Sequence, residues 1–365
     1  MKLAIIGLSN SGKTTIFNAL TGQSLDTTTY PTISGEPNFG VVKVPDKRIE
    51  RLAEIYKPRK VTYASVEYID YIGLTKGDLA QNRKVFDLIK DVDAIVQVVR
   101  AFEDDAVSHP MNDIKPLRDM ETLELELVFG DLEFVDKRLE RMDESVKKGK
   151  KLNEPEKKLL LKCKEALEKE IPLRNVLFDE EEQKLMRPFQ FISTKPEVIV
   201  INAAEDDLNS GKSNTLQSSL VNYVSEKGLA ETTKVITFCG KIEMEIAQFS
   251  ADEAKAFLEE LGIEEPALKK FIRVSYDLLG LISFLTAGED EVRAWTITKG
   301  TGAQKAAGKI HSDIERGFIR AELVGYDDFI ADGGMSGARD SGHLRLEGKT
   351  YEVKDGDIIN FRFNV

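Results

Sequence analysis

Residues 2–21 of the chain read KLAIIGLSNSGKTTIFNALT, and this stretch decides the fold. The apolar run 3–6 is typical of a buried parallel strand, and the residues after Lys13 have the pattern of a helix. Between them, residues 7–14 (GLSNSGKT) fit the spacing GxxxxGK[ST]. A strand, a Gly-rich loop and a helix in this order form a concave site of backbone N–H groups. The sequence therefore predicts that this loop binds the phosphates of a nucleotide.

Two side chains of the loop have specific predicted roles. Lys13 supplies a positive charge to the β- and γ-phosphates, and Thr14 offers its hydroxyl to Mg²⁺. A second stretch, residues 210–213 (SGKS), copies the end of the motif but has Asp206 at the position of the first glycine. Because a carboxylate there would repel phosphate, we expect the second stretch to be a surface loop.

Composition limits the class of protein. The 365 residues carry a net charge of −12, which argues against a protein that coats nucleic acid by bulk charge. The two cysteines, Cys163 and Cys239, lie far apart, which excludes a Cys-based zinc site and suits a reducing compartment. The N-terminal strand is already functional, so we expect no cleaved signal. Because no apolar run approaches membrane-spanning length, we expect a soluble, cytoplasmic protein.

Two segments are predicted to respond to the γ-phosphate. In the polar loop 21–38, Thr32 and Ser34 are candidates for a hydroxyl that caps Mg²⁺, although an inert surface loop is the alternative. Residues 70–73 (DYIG) follow an expected strand, so Asp70 would hold Mg²⁺ through water and the Gly73 N–H would contact the γ-phosphate.

The residue after Gly73 bears on hydrolysis. Ras-type enzymes place a water-orienting Gln there, whereas this chain has Leu74, which cannot orient water. Either another group does so or hydrolysis is slow. His109, in the loop after the strand 93–100, is a candidate for this group. The alternative is a histidine that is simply solvated.

The base-recognition segment favours ATP. Residues 202–205 (NAAE) follow an expected strand, at the position where GTPases carry NKxD. The Asp of NKxD accepts two hydrogen bonds from guanine, and here Glu205 replaces it. The amide of Asn202 can still pair with N6 and N7 of adenine. In the alternative interpretation, Glu205 only caps a surface turn and discriminates little.

The remaining patterns predict the architecture. Strand and helix candidates alternate, which indicates an α/β fold with a doubly wound, mostly parallel sheet. Six segments have the apolar pattern of strands: 3–6, 39–44, 65–71, 93–100, 197–201 and 234–239. A helix over 47–55 and a basic loop over 57–60 lie between the second and third strands. We expect three domains: a nucleotide-binding domain (1–116 and 191–280), an inserted helical hairpin (117–190) and a small α+β tail (281–365), in which a turn at 354–357 joins two strands.

The tip of the inserted hairpin is basic. Residues 147–151 read KKGKK. These lysines either contact RNA phosphates or form a solvated turn, and the residues alone do not favour one interpretation over the other.

Several motifs together resemble the Obg-like ATPase family, also called YchF, over essentially the whole chain. They are GLSNSGKTTIFNALT (7–21), EPNFGVVKVPDKR (36–48), VVRAFEDD (98–105), the NxxE at 202–205 and most of the tail from VRAWTI (292–297) onward. The resemblance implies a P-loop NTPase domain, a coiled-coil hairpin and a C-terminal TGS domain, which is a ubiquitin-like β-grasp fold.

The resemblance also implies a function. It implies an ATPase with ATP preferred over GTP, and the motif residues lead us to expect Mg²⁺-dependent hydrolysis at a slow intrinsic rate. It further implies a nucleotide-dependent switch that binds the ribosome, with the large subunit or RNA contacted through the hairpin and the TGS domain. We expect a monomer with no membrane contact. The alternatives are an Obg-type GTPase and an ATP-binding regulatory module with negligible turnover.

The predicted site combines the motif and the resemblance. In the family a loop histidine is linked to hydrolysis, which matches His109. The family's P-loop asparagine matches Asn10, and in related proteins this residue helps bind K⁺ beside the phosphates. Two segments depart from the family: DYIGL replaces DIAGL, with bulky Tyr71 and Ile72, and YPTISGEPN places Ser34 at the metal-sensing position. The predicted site residues are His109 and Lys13 for catalysis, Thr14, Ser34 and Asp70 for the metal, and Ser9, Asn10, Ser11, Gly12, Lys13, Thr14, Thr15, Phe102, Asn202 and Glu205 for the nucleotide.

Overall fold

The computed structural model describes residues 1–25, 27, 37–71, 73–209 and 211–364. These residues form two compact units, Met1–Val42 with Glu67–Phe271 and Lys43–Val66 with Ile272–Val365. The predicted positions Thr32, Ser34 and Ile72 lie outside the described residues. Residues 43–66, which the sequence analysis assigned to the nucleotide domain, pack within the second unit.

The strands of the described residues form two sheets of six. In chain order they are β1 (Lys2–Gly7), β2 (Asn38–Lys43), β3 (Lys60–Thr62), β4 (Ser65–Asp70), β5 (Ala94–Ala101), β6 (Glu197–Ala203), β7 (Thr233–Phe238), β8 (Leu281–Ala287), β9 (Glu291–Thr298), β10 (Phe318–Gly325), β11 (Arg345–Glu347) and β12 (Asp357–Phe363).

The helices alternate with the strands of the first sheet and cover the second. They are α1 (Lys13–Thr21), α2 (Lys47–Tyr56), α3 (Leu79–Ile89), α4 (Pro116–Lys147), α5 (Glu154–Glu168), α6 (Glu180–Met186), α7 (Glu205–Asn209), α8 (Lys212–Glu226), α9 (Gly240–Ile246), α10 (Ala251–Glu260), α11 (Ala267–Leu278), α12 (Ala303–Ile310), α13 (Ser312–Arg316), α14 (Tyr326–Ala331) and α15 (Met335–Asp340). Across the described part of the chain, no helix combines the length and apolarity needed to span a bilayer.

The first sheet has the order β2-β4-β1-β5-β6-β7. Strand β1 is parallel to both β4 and β5, and β5, β6 and β7 continue the parallel arrangement. Strands β1 and β6 are almost entirely buried, as their continuous apolar sequences predict. The carboxyl ends of these strands therefore meet at one edge of the sheet, where ligands of open α/β folds bind.

Helix α4 belongs to two packing regions. Near its start, Leu123 and Leu127 pack into the core of the nucleotide unit beside Ile6 and Ile95. Further along, Val135 and Met142 face α5, in a cluster that includes Leu160 and Leu167 of that helix. The inserted hairpin was expected over 117–190, but the first part of α4 packs into the core of the nucleotide unit and only its later part packs against α5.

The second sheet has the order β11-β10-β12-β8-β9-β3. The hairpin β8–β9 is antiparallel, β8 runs parallel to β12, and β10 is antiparallel to β11 and β12. Helix α12 packs on this sheet through three buried alanines, against Phe284 and Phe361. The arrangement of sheet and helix agrees with the expected β-grasp fold.

Three local predictions were wrong. Residues 57–60 were expected to be a loop, but Lys60 begins β3, which pairs in parallel with β9. Residues 210–213 were expected to form a surface loop, but Gly211 is the N-cap of α8 and Lys212 begins that helix. The expected strand before the turn 354–357 is reduced to a single bridge between Glu352 and Gly302.

Candidate nucleotide-binding site

The phosphate-binding loop has backbone angles and close contacts that favour glycine and asparagine. Asn10 and Gly12 adopt positive φ angles of 63° and 91°. A Cβ atom on Gly12 would lie 2.2 Å from Nδ2 of Asn202, and one on Gly7 would lie 2.5 Å from the carbonyl oxygen of Val98. Glycine is therefore required at Gly12 for two reasons, its φ angle and the close approach of Asn202.

Lys13 begins α1 and is almost buried, with 7% of its surface exposed. Its Nζ donates a hydrogen bond to the carbonyl oxygen of Leu8, 3.0 Å away, inside the loop. Burial lowers the pKa of Lys13 to about 8, against the opposing charge of Asp70. Because the ammonium has lost most of its hydration, a phosphate anion would be a favourable partner for it.

The two described metal candidates lie together. The hydroxyl of Thr14 donates to Oδ2 of Asp70 at 2.9 Å, while Oδ1 of Asp70 is buried without a hydrogen-bond partner in the described ranges. Burial raises the pKa of Asp70, and the charge of Lys13 and the Thr14 hydrogen bond oppose this. One hydroxyl, one carboxylate and phosphate oxygens form a ligand set that suits Mg²⁺. Within the described residues, no group of three or more His, Cys, Asp or Glu side chains forms a metal cage.

The segment after Asp70 lies directly against the loop. A Cβ on Gly73 would lie 2.9 Å from Oγ of Ser9 and 3.0 Å from Nζ of Lys13. The N–H of Leu74 donates to the carbonyl oxygen of Gly7 at 3.0 Å, and the Leu74 side chain is fully buried in the core. Leu74 thus packs the sheet and does not face a reacting water.

Tyr71, which departs from the family pattern, packs into the same core. It is 6% exposed, and its hydroxyl donates to the carbonyl oxygen of Leu88 at 3.1 Å. The bulky side chain is therefore accommodated with its polar atom satisfied.

A network of side chains fixes the loop after β5. The buried guanidinium of Arg100 donates to the carbonyl oxygen of Phe102 at 3.0 Å and lies over the Phe102 ring, 4.5 Å from its centre. Nδ2 of Asn10 donates to the carbonyl oxygen of Ser108 at 3.0 Å. The Phe102 ring lies beside Gly12, 3.8 Å from the position of an added Cβ. The structure thus brings together Asn10, Gly12 and Phe102, as a shared nucleotide site requires.

His109 is turned inward. Its side chain is 5% exposed, and Nε2 lies 3.0 Å from Oδ2 of Asp119, which is 4% exposed. The solvated-histidine alternative is therefore wrong. Burial lowers the pKa of His109, helped by the charges of Arg100 and Arg118 and opposed by Asp119. No sequence motif indicated Asp119, whose only signal is an acidic residue in the first turn of α4.

Asn202 braces the loop from the other side. The residue is 5% exposed, its Nδ2 donates to the carbonyl oxygen of Ser11 at 3.0 Å, and its Oδ1 accepts from the N–H of Gly240 at 3.0 Å. The amide thus joins the phosphate-binding loop to the start of α9. Glu205 begins α7 and is exposed. The contacts of both residues with a nucleotide base stay predictions.

A second carboxylate of α4, Glu126, holds the segment that follows Gly73. Its two oxygens accept from the N–H of Gly77 and from Nδ2 of Asn82, both at 2.9 Å. Asn82 also exchanges hydrogen bonds with the backbone of Thr75. Sequence reasoning missed this contact, because nothing in the local pattern distinguishes Glu126 from the other acidic residues of α4.

Comparison with known proteins places this geometry in a family. Residues 2–129 match a family model described as a 50S ribosome-binding GTPase. Residues 281–364 match the C-terminal YchF-GTPase model, described as a protein of unknown function. The "Ribosome-binding ATPase YchF" of Bacillus subtilis is 45% identical over 364 residues, covering 99% of this chain and 98% of the relative. The chain belongs to the YchF family.

Other YchF proteins agree with this assignment. The protein of the same name from Haemophilus influenzae is 40% identical over 368 residues and covers 100% of this chain and 99% of the relative. The solved structure of the Schizosaccharomyces pombe YchF GTPase superimposes with a TM-score of 0.81 at 30% identity, covering 99% of this chain and 97% of that one. The resemblance and the fold class expected from the sequence are both confirmed.

Proposed function

We propose that this chain is a P-loop ATPase that binds ATP with Mg²⁺ in preference to GTP, hydrolyses it slowly and uses it to control binding to the ribosome. The observation that carries the proposal is the phosphate cradle: a loop held open by Gly12, with buried Lys13 and the Thr14–Asp70 pair at its base. The curated relatives named "Ribosome-binding ATPase YchF" support the activity and the partner.

We propose a role for each group of the cradle. Backbone N–H groups of the loop and the start of α1 bind phosphate oxygens, and the Lys13 ammonium neutralises their charge. Thr14 and Asp70 would hold Mg²⁺. The bound ion would neutralise the negative charge that develops on the phosphates. Ser34 is the proposed third metal contact.

His109 is the proposed group that acts on water. Leu74 cannot do so, because its side chain is buried in the core. In hydrolysis the water oxygen bonds to the γ-phosphorus, the bond from that phosphorus to the β–γ bridging oxygen breaks, and a proton leaves the water. An imidazole nitrogen would accept that proton and later return it to phosphate or solvent. A slow intrinsic rate follows if this histidine replaces the usual glutamine imperfectly.

ATP preference is supported by the NAAE segment. Glu205 stands where GTPases use an aspartate to accept from guanine, and it is exposed at the start of α7. The ring of Phe102 lies beside Gly12, where the proposed nucleotide would pass. An Obg-type GTPase remains the second candidate, because the model matched by residues 2–129 is described as a GTPase.

The hairpin and the TGS domain are the proposed ribosome contacts. Four exposed lysines, Lys147, Lys148, Lys150 and Lys151, surround the turn at Gly149 between α4 and α5. Such a basic tip can contact RNA phosphates in an otherwise acidic protein.

We further propose that K⁺ stimulates turnover through Asn10 and that the protein acts as a monomer. Equal rates in Na⁺ and in K⁺ would contradict the role of Asn10.

Titration calorimetry tests the nucleotide preference. Nucleotide-free protein is titrated with non-hydrolysable ATP and GTP analogues in Mg²⁺ and K⁺. The proposal expects tighter binding of the ATP analogue. Equal or tighter binding of the GTP analogue would contradict it and place the GTPase first.

A multiple-turnover phosphate-release assay then tests hydrolysis. Measurable ATP-dependent release of phosphate that disappears in Lys13→Ala supports an ATPase. Phosphate release by the wild-type protein that is no greater than in that variant supports an ATP-binding module.

Co-sedimentation with ribosomes, with and without the ATP analogue, tests the partner. Equal co-sedimentation in both states would contradict a nucleotide-dependent switch.

A further inference from the structure

The loop 102–109, which we call the histidine loop, ends in a chain of polar contacts that reaches α4. Oδ1 of Asp119 accepts from Nε and Nη2 of Arg118, at 3.0 and 2.7 Å. Arg118 in turn binds the carboxylate and the carbonyl oxygen of Asp113. The second oxygen of Asp119, Oδ2, lies 3.0 Å from Nε2 of His109 and makes no other hydrogen bond in the described parts of the chain. Asp119 is thus fixed on one side by a guanidinium and faces the imidazole on the other.

The two ring nitrogens of His109 have different partners. Nδ1 accepts a hydrogen bond from the N–H of Met111 at 3.1 Å. A nitrogen that accepts cannot carry a proton, so in the neutral ring the proton is on Nε2, which faces Asp119. Nδ1 therefore carries the lone pair of the ring, which accepts from the N–H of Met111 in this structure. For Nδ1 to act on a water, that water would have to take the place of the Met111 N–H.

A small cavity joins this pair to the phosphate-binding loop. Ser9 and Ser11 of the loop line it from one side, and His109 and Asp119 from the other. Oγ of Ser11 and Oε1 of Gln97, which also lines the cavity, are buried without hydrogen-bond partners in the described parts of the chain. Buried polar atoms of this kind are usually satisfied by ordered water. The cavity thus lies between His109 and the loop that would hold the phosphates, and it is lined by apolar side chains as well as by these polar ones.

We infer that Asp119 is a positioning residue for hydrolysis, which holds His109 in the Nε2–H tautomer and makes Nδ1 the nitrogen that accepts the proton of the attacking water. The inference rests on the proposed role of His109. A carboxylate that orients an imidazole through one nitrogen, so that the other acts as the base, is a recurrent catalytic arrangement.

The charges around the imidazole keep it ready to accept a proton. Asp119 and Arg118 face it from α4 and Arg100 faces it from β5, while the phosphate-binding loop contributes the uncharged Ser9 and Ser11. Burial lowers the pKa of His109, helped by the two arginines and opposed by Asp119. The ring is therefore neutral at pH 7, and removal of the carboxylate would lower the pKa further.

The first test determines the tautomer of His109 in the wild-type protein. The chain has three histidines, so protein labelled with ¹⁵N-histidine gives few ring signals by NMR. His109→Ala identifies the signal of His109 by its loss. The inference expects ¹⁵N shifts of the Nε2–H tautomer for His109 at pH 7. Shifts of the Nδ1–H tautomer or of an imidazolium would overturn it.

The second test is Asp119→Asn, with Glu140→Gln on an exposed part of α4 as the matched control. For Asp119→Asn we expect kcat for ATP to fall about tenfold or more, with unchanged Kd for an ATP analogue. The acidic limb of the kcat–pH profile should move to lower pH, and the tautomer signal should change. The control should keep the wild-type values for all of these quantities.

The outcomes separate this inference from the proposed function. If His109→Ala lowers kcat but Asp119→Asn leaves kcat and the pH profile unchanged, Asp119 has no positioning role and the inference is wrong. If His109→Ala itself leaves kcat unchanged, the proposed role of His109 fails, and the inference fails with it. If Asp119→Asn does not fold, an Nδ1–H tautomer or an imidazolium at His109 in the wild-type protein would still overturn the inference.

Discussion

The phosphate cradle and the histidine loop lie on two sides of the same site but are built differently. In the cradle, the backbone conformation of residues 7–14 fixes the geometry, with Asn202 as a brace and Val98 in close approach to Gly7. The loop 102–109 is fixed by side chains from three separate elements, Asn10, Arg100 and Asp119. The difference suggests that nucleotide binding is a local property of the chain, whereas turnover depends on contacts distant in sequence. Variants should therefore separate the two.

The largest effect on the cradle is expected for Lys13→Ala. Loss of the ammonium should weaken ATP binding roughly 100-fold, because charge-assisted hydrogen bonds to phosphate are among the strongest polar contacts. Titration calorimetry measures the change. Lys212→Ala is the matched control, because Lys212 follows a glycine at the start of α8 in the same SGK sequence but is exposed. Equal losses in both variants would mean that the cradle is not the binding site.

Gly12→Ala tests whether backbone geometry alone holds the cradle. Gly12 and Gly22 flank α1, and both have positive φ angles of 91° and 67°. An added Cβ meets Asn202 only at Gly12, and nothing lies within 4 Å at Gly22. Gly22→Ala should cost about 1 kcal/mol of unfolding free energy and leave ATP binding intact. Gly12→Ala should cost more and weaken ATP binding about tenfold or more.

Thermal unfolding and calorimetry on the two variants provide the comparison. Similar losses of stability and no loss of ATP affinity in Gly12→Ala would show that the close contact with Asn202 is unimportant.

The smallest expected effect is a pH dependence of ATP binding. The pKa of Lys13 in the free protein is lowered to about 8, and phosphate binding requires its protonated form. Lys13 is mostly charged at pH 7 and mostly neutral at pH 9, so affinity should fall about tenfold over this range. Near pH 8, binding should take up a proton, which calorimetry in buffers of different ionisation enthalpy detects. A flat affinity without proton uptake would contradict the lowered pKa.

The sequence predicted those features whose determinants are contiguous. The phosphate-binding loop, the six strands of the first sheet and the hairpin follow from local patterns of glycine, apolar and charged residues. The three-residue strand β3 was missed, because the basic segment at Lys60 forms a strand only where β9 offers an edge. The prediction of a surface loop at 210–213 was wrong because the glycine at the N-cap of α8 has the same sequence signal as a turn.

The side chains that hold the site together could not be predicted. Asp119 and Glu126 lie seven residues apart on α4, where they are only two of many acidic residues in the sequence. Their partners, His109 and the segment of Gly77 and Asn82, become neighbours only after α4 packs on the sheet through Leu123 and Leu127. Such contacts depend on tertiary packing, which a pattern in one sequence does not contain.

The most direct test of the account is His109→Ala, with ATP affinity and ATP turnover measured on the same preparation. The account predicts an unchanged Kd for an ATP analogue, because the imidazole of His109 is not one of the groups that form the cradle. It also predicts a fall of about 100-fold in kcat, because the group that accepts the proton is lost. Wild-type turnover in this variant would contradict the account, and so would a loss of affinity as large as the loss of turnover.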